Sequence, residues 1–211
     1  SLTVVFRLLP KEIAAETFVE MDGDEQAFLL KAFSDKEIRD VLDELYVDDT
    51  VDIIEEMPAN VVRRILALAD NEMRAQINEI LHYPKNSAGS IMTTEFVDLK
   101  KDMTVAAAFE RIRRVGIDKE TIYTCYVIDD NRHLLGLVTA KTLLLSSTRS
   151  LIGDIMETNI ISVSTMQDKE EVGDDFVKYG FLAMPVVDNE NRLVGIVTID
   201  DAIDVIQEEN T

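Results

Sequence analysis

The sequence is short of what a secreted or membrane-spanning protein needs. Its one cysteine, Cys125, cannot form an internal disulfide and suits a reducing compartment. No apolar run reaches the ~20 residues of a bilayer-crossing helix, and the opening SLTVVFRLLP is too short for a secretory signal with its cleavage site. No Gly-rich phosphate loop and no catalytic-triad pattern is present, so nothing points to an enzyme. Basic residues are scarce as well: 21 Lys and Arg face 41 Asp and Glu, a net charge of −20. That field repels nucleic acid and anionic headgroups and favours cations as partners.

What is present is an ordinary hydrophobic fraction, 46% over 211 residues. This is too apolar for a disordered acidic tail and long enough for two compact domains. The chain opens abruptly on apolar residues and closes on the acidic helical pattern IDVIQEENT, as expected of a piece of a larger protein. From about Leu9 to Leu81 a short amphipathic unit recurs about every twelve residues, with starts near Pro10, Asp24, Asp35, Asp48, Pro58 and Asp70. Asp and Ser before the first turn cap such helices, and Pro58 is tolerated at a helix start. Helices of two to three turns are unstable alone, which predicts a curved stack of helical hairpins.

After Tyr83-Pro84-Lys85-Asn86-Ser87-Ala88-Gly89 the texture alternates between strand and helix. Val127 to Thr139 aligns with Val186 to Thr198 at a shift of 59, with six identities in thirteen positions. Ile91-Met92 matches Ile155-Met156 at a shift of 64, so the first copy holds five extra residues between these motifs. Each copy reads as an IM turn and strand, helix, strand, turn, strand, helix. Asp129-Asp130-Asn131 and Asp188-Asn189-Glu190-Asn191 form the hairpin turns, where Asn and Asp accept left-handed angles.

This repeat resembles the CBS (cystathionine-β-synthase) domain, through the IM opening, Met184-Pro185-Val186-Val187-Asp188 and Gly195-Ile196-Val197-Thr198-Ile199-Asp200-Asp201. Short acidic helices joined by A-G-S-I-M-T to such a pair resemble the cytosolic region of the MgtE family of magnesium channels. LLPKEIAAE, YVDDTVDIIEEM, SAGSIMTTEFV, ETIYTCYVIDD and LVGIVTIDDAIDVIQEE carry that likeness over essentially the whole chain. The resemblance implies a mainly α, superhelical helical-repeat N domain over 1–84 and an α/β tandem CBS pair, 85–150 and 151–211. It implies a non-enzymatic sensor: Mg2+ binds acids between the helical domain and the CBS pair and closes a pore. The conducting C-terminal transmembrane domain is absent from this sequence. It further implies a homodimer through the CBS modules and a place on the cytoplasmic face of a membrane.

The residues agree with a cation sensor. Residues 1–84 carry 8 basic and 19 acidic side chains, and 85–211 carry 13 and 22. Mg2+ prefers oxygen ligands and is typically held by one or two carboxylates and several waters. Like charges about 6 Å apart repel by only roughly 0.7 kcal/mol in water, but many such pairs add up. The resemblance assigns metal-binding acids to Glu16, to Asp48 and Asp52 of D-D-x-x-D, and to Asp200, Asp201, Asp204 and Glu209. Asp48 and Asp52, four apart, share a helical face. Read alone, Asp48 serves equally well as a helix cap and Asp52 as a solvated residue. Asp201 either joins Asp200 and Asp204 on one side of the last helix or caps it. Glu170 is a further candidate, although acids at a helix start also compensate its dipole. Where the family carries an acid before the aromatic that precedes M-P-V-V-D, this chain has Gly180 before Phe181.

The alternative ligand is ATP or another adenine nucleotide, which CBS pairs often bind through the Thr and Asp of T-x-x-D. Here those are Thr198 and Asp201, with Phe181 to pack on a base and Lys141 to attract a phosphate. The first copy reads Thr139-Ala140-Lys141-Thr142 and lacks the Asp. His82 and His133 have no metal-spaced partner, and Cys125 reads as a small buried hydrophobe.

Overall fold

The computed structural model describes residues 2–209, the side chains of Glu208 and Glu209 excepted. The chain divides into two compact units, one ending at His82 and the other beginning at Tyr83. The first is helical: α1 (Leu2–Phe6), α2 (Lys11–Val19), α3 (Gly23–Ala32), α4 (Asp35–Leu42), α5 (Val47–Glu56), α6 (Ala59–Leu68) and α7 (Asn71–Ile80). Each helix packs on the second one along, α1 on α3, α2 on α4 and so on to α5 on α7, which is the packing of stacked hairpins. The amphipathic repeat predicts all but α1.

The cap positions of α2, α6 and α7 fall at Pro10, Pro58 and Asp70 as expected, while those of α3, α4 and α5 lie one or two residues earlier than the acid pattern suggests. Asp22 accepts from Glu25 N–H at 2.9 Å and Asp70 from Met73 N–H at 2.8 Å. Ser34 and Glu37 form a reciprocal capping box, and Tyr46 holds the cap position of α5, its side chain not capping the helix. Asp24, Asp35 and Asp48 therefore sit inside first turns. The positive end of a helix welcomes acids there as well as at the cap, so acids alone do not mark the boundary.

Between stacked helices the core is aliphatic and aromatic, with Phe18, Leu29, Ile38, Ile65 and Ile77 fully buried and Phe6 set against Phe18 and Phe33. Ion pairs tie helices across the stack: Arg7 to Glu37, Lys11 to Asp40, and Arg64 to Asp35. Arg64 also donates to the carbonyls of Leu30 and Phe33, where α3 leaves backbone acceptors unsatisfied.

The second unit holds both repeats. The first has a 3-10 turn (Ala88–Ser90), β1 (Val97–Leu99), α8 (Val105–Val115), a second 3-10 turn (Gly116–Asp118), β2 (Thr124–Ile128), β3 (Leu134–Thr139) and α9 (Ala140–Leu145). After α10 (Ile152–Ile155), the second has β4 (Val163–Ser164), α11 (Lys169–Tyr179), β5 (Ala183–Val187), β6 (Leu193–Thr198) and α12 (Ile199–Glu209). Each sheet is β1-β2-β3 or β4-β5-β6, with the first pair parallel and the second antiparallel. The strand and helix order is that read from the repeat.

The repeats exchange backbone bonds about a pseudo-two-fold axis. Thr93 and Ile196 donate to each other's carbonyls at 2.8 and 2.9 Å, and Leu137 and Glu157 do the same at 3.0 and 2.9 Å. The lead segment of each repeat thus occupies the free edge of the other's last strand. Ile196 spends both backbone groups on Thr93, so its β5 neighbour Pro185 is not asked for an N–H. The methionine beside each lead residue explains the glycine of each hairpin. A Cβ on Gly195 would lie 2.7 Å from Met92 Sδ and 2.8 Å from the Thr93 carbonyl, and one on Gly136 2.8 Å from Met156 Sδ and 2.9 Å from the Glu157 carbonyl.

The hairpin turns also pair: Leu134 N–H donates to the Asn191 carbonyl and Leu193 N–H to that of Arg132. The left-handed residues there are Arg132 and Asn191. The expectation that Asn or Asp takes that position holds in the second copy only. Both turns close alike, Asp129 accepting from the amides of Asn131 and His133 and Asp188 from those of Glu190 and Arg192, and the left-handed angle falls three residues after each Asp, on Arg132 in the first copy.

Three outcomes are expected. Gly136→Ala and Gly195→Ala, where backbone oxygen blocks the new carbon, should each cost about 1–3 kcal/mol in chemical unfolding. Gly180→Ala has open space but a φ of +67°, so its cost should be the backbone penalty alone, about 1–2 kcal/mol. Glu37, held by Arg7 and Ser34, has its carboxyl lowered from 4.5 to about 2. Its stabilisation is therefore present above pH 4.5 and lost as pH falls toward 2. Glu37→Gln should flatten that part of the acid-unfolding curve followed by circular dichroism.

Candidate functional site

In the helical unit the acids singled out by sequence occupy two helices. Glu16 is exposed on α2. On α5, Val47, Val51 and Ile54 face the core, and the helix period then places Asp48 and Asp52 one turn apart. Asp48 is 7% exposed and Asp52 lies in solvent. Since Tyr46 occupies the cap position, the capping alternative for Asp48 is removed.

In the second repeat, the β6–α12 junction carries Asp200, Asp201 and Asp204. Thr198 is buried, and its hydroxyl donates to Asp201 Oδ2 at 2.7 Å, with its amide at 3.4 Å from the same oxygen. Asp201 thereby closes the start of α12 as the third residue of a capping box does. In the first repeat the matching residue is Thr142, whose amide donates to Thr139 Oγ1 at 3.2 Å. Asp200 and Asp204 are exposed on the first two turns of α12. The side chain of Glu209, also expected at this site, lies outside the described residues.

Leu182 binds this corner through its carbonyl, which accepts from Ile199 N–H at 3.0 Å. That bond ties the residue after Phe181 to the first residue of α12. Phe181 stacks on Tyr179 with centroids 5.5 Å apart, and the Lys178 ammonium lies over Tyr179. Gly180, between the two rings, is the left-handed C-terminal residue of α11, a position that favours glycine over a carboxylate-bearing residue. Lys141 is not in this corner. It is exposed at the start of α9, in the equivalent corner of the first repeat, where Ala140 N–H donates to the Tyr123 carbonyl. Glu170 is exposed in the first turn of α11, its amide bonded to Asp168 Oδ1.

One residue escaped the sequence reading. A carboxylate oxygen of Glu120 lies within 4.8 Å of one of Asp201, both residues partly buried. Eight residues join α8 to β2 where three join α11 to β5. The five-residue surplus of the first repeat is therefore this segment, and it carries Glu120. Glu120 N–H donates to the Glu95 carbonyl at 3.0 Å, and Lys119 reaches the Glu95 carboxylate at 3.1 Å. The length difference was visible in the repeat alignment, and following it would have pointed to Glu120.

Two carboxylates at this separation repel, and a hard cation relieves the repulsion. Oxygens bound to one Mg2+ at about 2.1 Å stand roughly 3–4.2 Å apart, so a small adjustment or one intervening water suffices. The donor set, all oxygen and negative, suits Mg2+ and not a soft metal. Cys125 is fully buried, and burial pushes its thiol up to about 12, which leaves it protonated and unreactive. Among the described residues no helix is long and apolar enough to cross a membrane.

Comparison with known proteins follows this division of the chain. Residues 2–86 match the MgtE intracellular N domain, and residues 88–148 and 152–208 each match the CBS domain. The magnesium transporter MgtE of Thermus thermophilus is 38% identical over 212 residues, covering 99% of this chain and 47% of that protein. MgtE of Enterococcus faecalis is 42% identical over 139 residues, 66% of this chain and 31% of that protein. The chain thus spans about half the length, or less, of these relatives. Among solved structures, the cytosolic domain of the Mg2+ channel MgtE in complex with ATP superposes with a TM-score of 0.91 at 38% identity, over 96% of this chain and 83% of that one. The soluble part of a magnesium transporter gives 0.91 at 34%, over 98% and 82%. With its helical unit and both of its repeats matched in order, the chain belongs to the MgtE family, as an intracellular N domain followed by a CBS pair.

Proposed function

We propose that this chain is the Mg2+-sensing, non-enzymatic regulatory region of a magnesium transporter, acting at the cytoplasmic face on an attached membrane domain. In this reading Mg2+ bridges the acidic faces of the helical unit and the CBS pair and favours a closed state. The observation that carries it is the Glu120–Asp201 carboxylate pair beside Asp200 and Asp204, in a chain of net charge −20. A ligand shifts a conformational equilibrium only by its differential affinity for the two states. Acids that repel without a cation and share one when it is bound supply that difference. Mg2+ should therefore lower protease sensitivity and shrink the scattering radius at matched ionic strength. Asp201→Asn, Glu120→Gln and Asp204→Asn should each raise the Mg2+ concentration needed by about tenfold, equal to 1.4 kcal/mol. Unchanged sensitivity and radius across a Mg2+ titration would sink the proposal.

The same reading includes a two-fold homodimer through the CBS modules. Leu144 and Leu145 on α9 and Val177 on α11 are 72%, 78% and 72% exposed, which is costly for apolar side chains left in water. Leu144→Asp with Leu145→Asp should convert a dimer to a monomer in sedimentation.

A second reading has its own support. One solved relative holds ATP, and the Thr198 and Asp201 of T-x-x-D meet here at the start of α12. Thr198 and Asp201 are bonded to each other, however, and Lys141 lies in the other corner. Calorimetry should therefore give weaker binding of ATP than of Mg2+. Tight ATP binding without Mg2+-driven compaction would reverse that order.

A further inference from the structure

The helical unit contains a feature that the magnesium reading does not use. A cavity of about 140 Å3 opens between α1, α2 and α4, walled by Phe6, Phe33 and Val41. The Phe6 and Phe33 rings stand 5.3 Å apart. The rim carries two cations and two anions, paired as Arg7 with Glu37 and Lys11 with Asp40. These pairs differ in strength. Glu37 accepts from Arg7 Nε at 2.5 Å and Nη2 at 3.3 Å, and also from the amide and hydroxyl of Ser34, so it is fixed. Lys11 and Asp40 share one bond of 2.7 Å, with side chains 59% and 31% exposed. An exposed pair of this kind is worth about 0–1 kcal/mol, so a ligand can open it at little cost.

We propose that this cavity binds a free α-amino acid with an apolar side chain, inserted into the Lys11–Asp40 pair. The ligand carboxylate takes the Lys11 ammonium, the ligand ammonium takes the Asp40 carboxylate, and the side chain lies against Phe6, Phe33 and Val41. Charge selects the class. A monoanion would leave Asp40 without its partner in a strongly acidic chain, a monocation would leave Lys11 without one, and a zwitterion serves both. Size agrees, because the cavity is below the roughly 300–1,000 Å3 of pockets for drug-sized ligands and suits one short apolar side chain. Binding would tie α2 to α4 through the ligand, whether or not Mg2+ is bound elsewhere.

The test is a titration of the whole chain with L-leucine, L-leucinamide and 4-methylpentanoate, followed by amide and aromatic NMR shifts. Leucine should give saturable shifts at Phe6, Phe33 and Val41, with a Kd of about 1 mM or below. The cationic amide and the anionic acid should bind at least about tenfold more weakly. Lys11→Met and Asp40→Asn, which break a pair worth little to stability, should weaken leucine binding about tenfold with an unchanged melting transition. No saturable shift up to about 10 mM leucine, equal binding of either singly charged probe, or variants that bind as the parent would each overturn the proposal. None of these outcomes bears on the Mg2+ response, which is read separately by compaction.

Discussion

The close approach of a methionine and a backbone carbonyl from one repeat to a glycine of the other governs the CBS unit. Met92 and Thr93 meet Gly195 and its neighbour Ile196, while Met156 and Glu157 meet Gly136 and Leu137. Because each glycine lacks a side chain, backbone reaches backbone and four hydrogen bonds close two sheet edges that would otherwise be open. A shared core of Phe96, Tyr126, Leu134, Leu193 and Ile196 then fills the space between the sheets. The β6–α12 corner inherits its place from this lock, since β6 is the strand that carries both Ile196 and Thr198.

Electrostatics acts on top of that frame. The chain spends its scarce cations locally: Arg111 on Asp98, Lys119 on Glu95, Arg192 on Asp188, and three more on cross-helix pairs in the helical unit. Asp200 and Asp204 stay exposed on the same helix as the partly buried Asp201, beside Glu120. Burial strengthens the interaction of such a group with any ion that reaches it, because the local dielectric is lower than that of water. Thr198 contributes by holding one oxygen of Asp201 in a set direction, so the acid is presented by the strand and does not swing freely.

Most of the architecture could be read from residue patterns. The 3.6-residue periodicity of the first 81 residues and the 59-residue repeat each survive because they reflect burial, which every residue of an element must satisfy. The details that were missed depend on choices between chemically similar neighbours. Asp24, Asp35 and Asp48 look like caps but lie one or two positions inside their helices. Arg132 holds a left-handed angle because the turn fixes that angle three residues after its Asp, at the place of Asn191 in the second copy, whatever residue stands there. Of the candidate acids, Asp200, Asp201 and Asp204 are assigned through their motif by the resemblance, and Asp201 also closes the start of α12. Glu120 was not legible, because a lone acid in a loop has no periodicity, and only the unequal lengths of two otherwise matching repeats single it out.

The reciprocal edge exchange also bears on what one repeat could do alone. The first repeat holds both halves of the lock, Met92-Thr93 in its lead segment and Gly136-Leu137 in its last strand, yet it cannot apply one to the other. Two separate copies could, each lending its lead segment to the other's open edge in an isologous pairing. Joining two such copies in one chain makes that association intramolecular, at an effective concentration no free partner attains. It also lets the two halves diverge, so that one corner carries Asp201 and the other Thr142 without any loss of the symmetry that holds them together.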